Sequence, residues 1–422
     1  MLKIIKEELE ILRGKYLYLL LLFVLILRKT LFNRARDMND FSSVDVNNSF
    51  AILATLIMLI ILSTKYQYLK GYMRMSYSFL IYYLFAAFSV TWAGFQYLPV
   101  AGYKALEVIV SFLMVLLIMK KIGSVSQNIT FTFTLLSICN IIYFIQAFRG
   151  AGFHDNAFPI LGMSEVLLAI GVIKYGIKKK KDVYHHIIIG FLTLVFSTST
   201  ASWISFLIGL FIFYSSSYNG INLKRIFFAL LIFSLAYLLI GDFIKEVIYA
   251  GKSEEQIRNA SGREALWTAY IKGWLESPII GHGFIVGEKG SIAAKYIAFA
   301  TNTAHNMIIS VLVNTGLIGL FLWTNFMWKQ CKVCLKLSKK KNKYALACFP
   351  AIVAIFINAN SFPVIGSEWS PTSVPIYALI IFIFVFIPLS QQELQFKNNR
   401  QHENIDCHFI KNLYGYLMVI FM

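Results

Sequence analysis

The sequence predicts an all-α polytopic membrane protein of about 12 transmembrane helices, with one long extracytoplasmic loop that contains short interfacial helices. Three observations predict it. Of 422 residues, 58% are hydrophobic and only 14% are charged, where a soluble domain carries about a quarter charged. The apolar residues gather in runs long enough to cross a bilayer, which takes about 20 residues. The basic residues gather between those runs, in clusters such as Lys178–Lys181 and Lys339–Lys341. The net charge of +18 therefore reads as cytoplasmic loops facing anionic lipid and membrane lipids as partners. No basic stripe interleaved with stacking aromatics points to nucleic acid.

Expected spans lie near 14–32, 49–66, 77–98, 102–119, 129–148, 159–177, 185–199, 201–217, 225–242, 304–328, 344–360 and 372–390. The first has a charge-free core of only 12 residues, Tyr16–Leu27, and needs Lys15 and Arg28 to snorkel. The stretch from Ile187 to Leu223 lacks Lys, Arg, Asp and Glu over 37 residues, about 55 Å as one helix. It must fold back, and the polar cluster Ser197, Thr198, Ser199, Thr200 and Ser202 is the place for the reversal. With Lys178–Lys181 placed in the cytoplasm, inner segments hold 26 of the 39 Lys and Arg. Seven of the 13 on the outside fall in the loop 243–303, and long loops translocate largely regardless of charge. Both termini are then cytoplasmic. The segment 28–49, with Arg28, Lys29, Arg34 and Arg36, departs from that pattern.

The expected organisation is a transmembrane bundle over 1–242, the loop 243–303, further spans over 304–390 and a cytoplasmic tail 391–422. The first apolar stretch ends in Arg28 and Lys29 without a small-residue cleavage site, so no cleaved signal peptide is expected. Cys331 and Cys334 form a CxxC, but no second CxxC or His pair completes a tetrahedral zinc site. No internal repeat of the kind that builds many transporters is visible.

The loop 243–303 carries the polar chemistry. Ser261-Gly262-Arg263-Glu264 reads as a capping box that starts a helix. Trp267, Tyr270, Ile271 and Trp274 recur on one face of that helix, which should rest on the membrane interface and end before Pro278. His305 sits at the mouth of the tenth span, where the positive end of a helix dipole disfavours protonation and suits a general base. A helix cap is the plainer role for it. Arg263 in a first helical turn opposes the dipole, which suggests an anion nearby. Glu165 lies about two turns inside the sixth span, with Arg149 or Lys104 as the expected partner. A structural ion pair and a substrate contact are both open there.

Ser261-Gly262-Arg263, Leu266-Trp267, Pro278, Gly281-His282-Gly283-Phe284, Ala304-His305-Asn306 and Asn314-Thr315-Gly316-Leu317-Ile318-Gly319-Leu320 together resemble the loop signature of the O-antigen polymerase and O-antigen ligase superfamily. Arg149, Gly152, Phe153, Asp155 and Asn156 resemble that family's motif ahead of the sixth span. Family members often carry an arginine after the serine of the hairpin between spans seven and eight. Here Thr200 follows Ser199, so Arg149 or Arg258 would have to supply that charge. The resemblance implies a polyprenyl-diphosphate-linked oligosaccharide donor presented at the outer face, a glycan acceptor, inversion at the anomeric carbon and contact with other polysaccharide-assembly proteins.

Glycosyl transfer from a lipid diphosphate needs a base for the acceptor hydroxyl and cations for the leaving group. The expected catalytic residues are accordingly His305 and Arg263, and the expected substrate-binding residues Arg149, Arg258, Glu165, Trp267 and Asn306. No metal or other cofactor is expected. A polymerase that joins repeat units of a capsule, exopolysaccharide or O-antigen is the leading reading. A ligase that moves finished glycan to another acceptor shares the motifs. A transporter of lipid-linked sugars would instead place charges along a central cavity.

Overall fold

The computed structural model describes residues 16–31, 46–148, 158–197, 199–217, 220–221, 224, 227–228, 231, 263–289, 292–297, 303–361, 365–367 and 373–392. α1 (Tyr16–Leu31), α2 (Val46–Thr64), α3 (Tyr66–Met75) and α4 (Tyr77–Ser89) lead into two 3-10 turns, Val90–Trp92 and Phe95–Tyr97. α5 (Leu98–Ile122), α6 (Val125–Phe148), α7 (Pro159–Lys174), α8 (Lys180–Val195) and α9 (Thr200–Ser215) follow. A two-residue ladder then pairs Ser216–Ser217 with Gly220–Ile221. The loop contributes α10 (Arg263–Glu276) and the single turn α11 (Val286–Lys289). α12 (Met307–Lys339), α13 (Lys343–Asn358) and α14 (Ser373–Ile381), which runs on through a π-helical turn Phe382–Phe386, complete the described chain.

Helices occupy the expected apolar stretches, except that the one near 225–242 lies almost wholly outside the described residues. The reversal falls where the polar cluster placed it: α8 ends at Val195, and Ser199 caps α9 by accepting from the Ser202 amide. Three described helical segments are long and apolar enough to cross a membrane by length and composition: Val125–Ile142, Met307–Lys339 and Ser373–Gln392. α2 and α3, bent by 96° where they meet, make a fourth if they form one span. Most of the other expected spans coincide with helices of 13 to 16 residues, about 20–24 Å long, short of the roughly 30 Å hydrocarbon core.

The bundle packs through small residues. α7 and α8 touch backbone to backbone at Gly162 and Gly190: a Cβ on Gly162 would stand 2.6 Å from the Gly190 carbonyl oxygen, and one on Gly190 2.7 Å from that of Gly162. Such close approach lets helices gain dispersion energy where lipid offers no hydrophobic drive. Phe79, Phe112, Phe326 and Tyr377 interlock between α4, α5, α12 and α14, with Phe79 and Phe112 stacked at 3.9 Å.

α12 is broken at Gly316, whose φ of 66° and ψ of −165° lie outside the helical region. The break frees backbone groups that an apolar setting cannot leave unpaired. The loop pairs four of them. His282 N and Gly283 N donate to the Val313 and Asn314 carbonyls at 2.9 and 2.8 Å, and Leu317 N and Ile318 N donate to the Pro278 and Ile279 carbonyls at 2.9 and 3.1 Å. The chains lie so close that a Cβ on Gly316 would sit 2.3 Å from the Ile279 oxygen. Gly316→Ala should therefore cost about 3 kcal/mol or more, since that backbone region is almost closed to other residues. A thermal melt of the detergent-purified chain checks it, and a wild-type melting temperature would contradict the tight crossing.

Candidate active site

The site grows from this crossing. α12 carries a polar stripe, Asn306, Ser310 and Asn314, spaced by four so that all three lie on one face. Asn306 is the helix cap, its Oδ1 accepting from Ile308 N at 3.0 Å and Ile309 N at 3.2 Å. Ser310 and Asn314 instead donate to Oε2 of Glu288, at 2.7 and 2.9 Å. The Glu288 amide returns a bond to Asn314 Oδ1 at 3.2 Å, and Tyr270 of α10 donates its hydroxyl to the Glu288 carbonyl at 3.3 Å. A single buried residue, Glu288, thus joins α10 through its backbone carbonyl and α12 through its carboxylate.

Its other oxygen sets the catalytic candidate. Glu288 Oε1 accepts from Ala304 N at 2.9 Å, and Trp267 Nε1 donates to Ala304 O at 2.8 Å. Ala304 is gripped at both its amide and its carbonyl. His305 follows with φ of 48°, a left-handed conformation that costs about 1–3 kcal/mol in a non-glycine residue and that only firm surroundings maintain. Met307 N then donates to Ala359 O at 3.1 Å, fixing the other flank. Since Asn306 caps α12, His305 is not the helix cap; it stands just ahead of the helix. Arg263 opens α10 one turn before Trp267, on the same face. It is half-buried, and burial pulls its guanidinium below the ordinary value.

Several expectations change. Of the four residues expected on the interfacial face of α10, Tyr270 is buried and Trp267 partly buried in a small core with Leu266, Ala269, Ala304, Ile309 and Val313, whereas Ile271 is exposed. Trp267 belongs to this packing and holds Ala304. Asn306 uses its oxygen on the cap. α10 starts at Arg263 and ends before Pro278 as expected, while Ser261 lies outside the described residues. So do Arg149 and Arg258.

Of the two cations expected beside Glu165, Arg149 lies outside the described residues. Lys104 bonds Glu107 at 3.4 Å. Glu165, fully buried, accepts from Asn140 Nδ2 at 2.6 Å and from Ser137, and meets His186 Nδ1 at 2.8 Å. His186 stacks on Phe133 at 4.6 Å. This cluster joins α6, α7 and α8, so the carboxylate is occupied by the protein itself. Glu288 was not singled out from the sequence, where it is one of several scattered loop glutamates. The polar stripe on α12 was the available signal, because such a stripe in an apolar helix demands a partner.

Burial raises the Glu288 carboxyl above its ordinary value of 4.5, against the opposing pull of its hydrogen bonds from Ala304, Ser310 and Asn314. A raised folded-state value means that its stabilising contribution is complete below about 4.5 and is lost as pH rises through the raised value. Glu288→Gln cannot ionise and should flatten that part of the melting-temperature profile against pH. A profile unchanged by the substitution would contradict the assignment.

Among curated proteins, none matches the chain. Residues 186–324, a third of its length, match the family model described as O-Antigen ligase. The match runs from α8 into α12 and takes in Arg263, Glu288, His305 and Gly316. The family implies glycan transfer of the O-antigen ligase or polymerase type, with a lipid-linked glycan donor and an acceptor at a membrane. Over residues 186–324 the chain is similar to the superfamily of O-antigen polymerases and O-antigen ligases, and its apolar helices are those of a membrane protein.

Proposed function

We propose that the chain is a polysaccharide polymerase that moves a growing glycan from a polyprenyl diphosphate carrier to a sugar hydroxyl of another lipid-linked repeat unit, at the outer face of the cytoplasmic membrane. The observation that carries this reading is the double grip on Ala304, which presents His305 in a strained conformation on the helix-cap segment, beside the helix that Arg263 opens. His305 takes the proton of the acceptor hydroxyl. The freed oxygen attacks the anomeric carbon, the bond from that carbon to the diphosphate oxygen breaks, and the diphosphate leaves with the pair. Arg263, joined in this reading by Arg149 and Arg258, stabilises the charge that grows on the leaving group. In the accompanying topology the chain crosses the membrane about 12 times, both termini are cytoplasmic and 243–303 is the outer loop.

A ligase that moves finished glycan to a lipid, polymer or protein acceptor is the second reading, favoured by the description of the matching family model. Cells whose own copy is deleted and replaced by wild type, His305→Ala or Arg263→Ala separate these readings by the length distribution of the surface glycan. Wild type should restore it. Each point variant should lose about a hundredfold or more in transfer, as expected when a general base or a charge-stabilising donor is removed. In the deletion strain, single repeat units on the normal acceptor mark a polymerase and full-length chains stranded on the carrier mark a ligase. Normal glycan from both variants would overturn the site.

A further inference from the structure

α3 departs from the direction of the helix before it, meeting α2 at 96°. α2 is 19 residues long, about 28 Å, and so uses up the roughly 30 Å of hydrocarbon before the turn at Lys65. A helix that turns at right angles there runs along the phospholipid headgroups. Joining α2 and α3 into one broken span would instead carry Lys70 and Arg74 into hydrocarbon, where each cation is costly. The inward side of α3 holds it to the bundle. Leu69 and Met75 are buried, and Tyr72 faces Phe386 at 6.3 Å between ring centres. From the last turn of α5, Lys120 donates to the Tyr68 carbonyl and lies 3.7 and 4.2 Å from the Tyr68 and Tyr72 ring centres. Lys329 of α12 donates to the hydroxyl of Tyr77, which opens α4. Lysine laid on tyrosine at this level is the composition of a headgroup layer.

The outward side carries unmatched charge. Tyr66, Lys70 and Arg74 recur every four residues, which sets them in one stripe, and all three are exposed. Lys65, at the turn itself, is exposed as well. Like charges four residues apart repel each other, and the chain supplies nothing nearby in sequence to neutralise them. No Asp or Glu occurs in 46–106 or in 108–154. Among the described residues no carboxylate pairs with Lys65, Lys70 or Arg74. A small free anion would neutralise the stripe but leave the Tyr66 ring against water. An acidic protein segment would match the charge but would have to reach into the headgroup layer. The phosphate of an anionic phospholipid answers charge, level and ring together: it accepts from both cations, and the glycerol beside it suits a tyrosine.

We infer that the outward face of α3 is an interfacial docking surface for anionic phospholipid headgroups, with Lys70 and Arg74 as the phosphate donors. The inference is independent of the transfer chemistry and needs only that α2 crosses the bilayer. Its test follows hydrogen exchange of the α3 amides by mass spectrometry. The full chain is reconstituted in nanodiscs of phosphatidylcholine alone, or of equal parts phosphatidylcholine and phosphatidylglycerol. Exchange should be about thirtyfold slower in the anionic discs, because each of the two cations near an anionic surface contributes about fivefold. Salt at about 1 M, which screens charges beyond about 3 Å, should remove the difference. Lys70→Gln combined with Arg74→Gln should remove it too, whereas Lys70→Arg combined with Arg74→Lys should keep it. Both positions are exposed, and unchanged exchange in α7 shows that the bundle stays folded in each variant. A difference between discs that survives in the glutamine variant overturns the proposal. So does equally fast exchange in both discs, which would leave this face to a protein partner. Equally slow exchange in both, untouched by salt, overturns it in favour of a broken span.

Discussion

A single break in one helix sets the geometry of everything around the candidate site. An α-helix in apolar surroundings satisfies its own backbone, and interrupting it at Gly316 exposes amides and carbonyls that hydrocarbon cannot pair. The segment Pro278–Gly283 supplies the missing partners, so a loop that would otherwise have no fixed position is tied to α12 by four backbone bonds. Once that segment is placed, α10 before it and α11 after it have little freedom left. Glu288 then faces the stripe of Ser310 and Asn314, and its second oxygen takes the Ala304 amide. His305 inherits its position from this sequence of constraints, one residue beyond a peptide unit held at both ends.

The chemistry gains from this construction. A general base must sit within hydrogen-bond reach of its proton, and a misplacement of about 1 Å can cost a hundredfold in rate. Here positioning acts through the backbone of Ala304, the residue that precedes His305. The charged groups divide into two sets. Glu165 and His186 serve the packing of α6, α7 and α8, whereas Arg263 and Glu288 belong to the loop and its docking helix.

Much of the framework was legible in the sequence, for physical reasons. Apolar runs mark helices because burial needs them, Ser197–Ser202 marks a reversal because no single helix spans that far, and Pro278 ends α10 because it cannot continue a helix. The site was legible as residues and not as an arrangement. Gly316 stood in the quoted motif, yet an isolated glycine in an apolar run does not announce a break. Glu288 meets Asn314 across 26 residues of chain, a tertiary fact that no local period encodes. The aromatic face of α10 matched an interfacial helix in composition, and that composition could not say that α12 would take up Tyr270 and part of Trp267 while Ile271 stays exposed. Glu165 was matched to cations, the partners that Coulomb's law favours; its neighbours among the described residues include a histidine, a serine and an asparagine on adjacent helices, which no local period encodes.

The measurement that tests the account most directly is a structure by electron cryo-microscopy of the full chain in a lipid nanodisc, with a polyprenyl-diphosphate-linked repeat unit bound. The account predicts the diphosphate within hydrogen-bond reach of Arg263 and an acceptor hydroxyl about 3 Å from the His305 ring. A diphosphate bound away from α10, with His305 turned from every sugar hydroxyl, would contradict it.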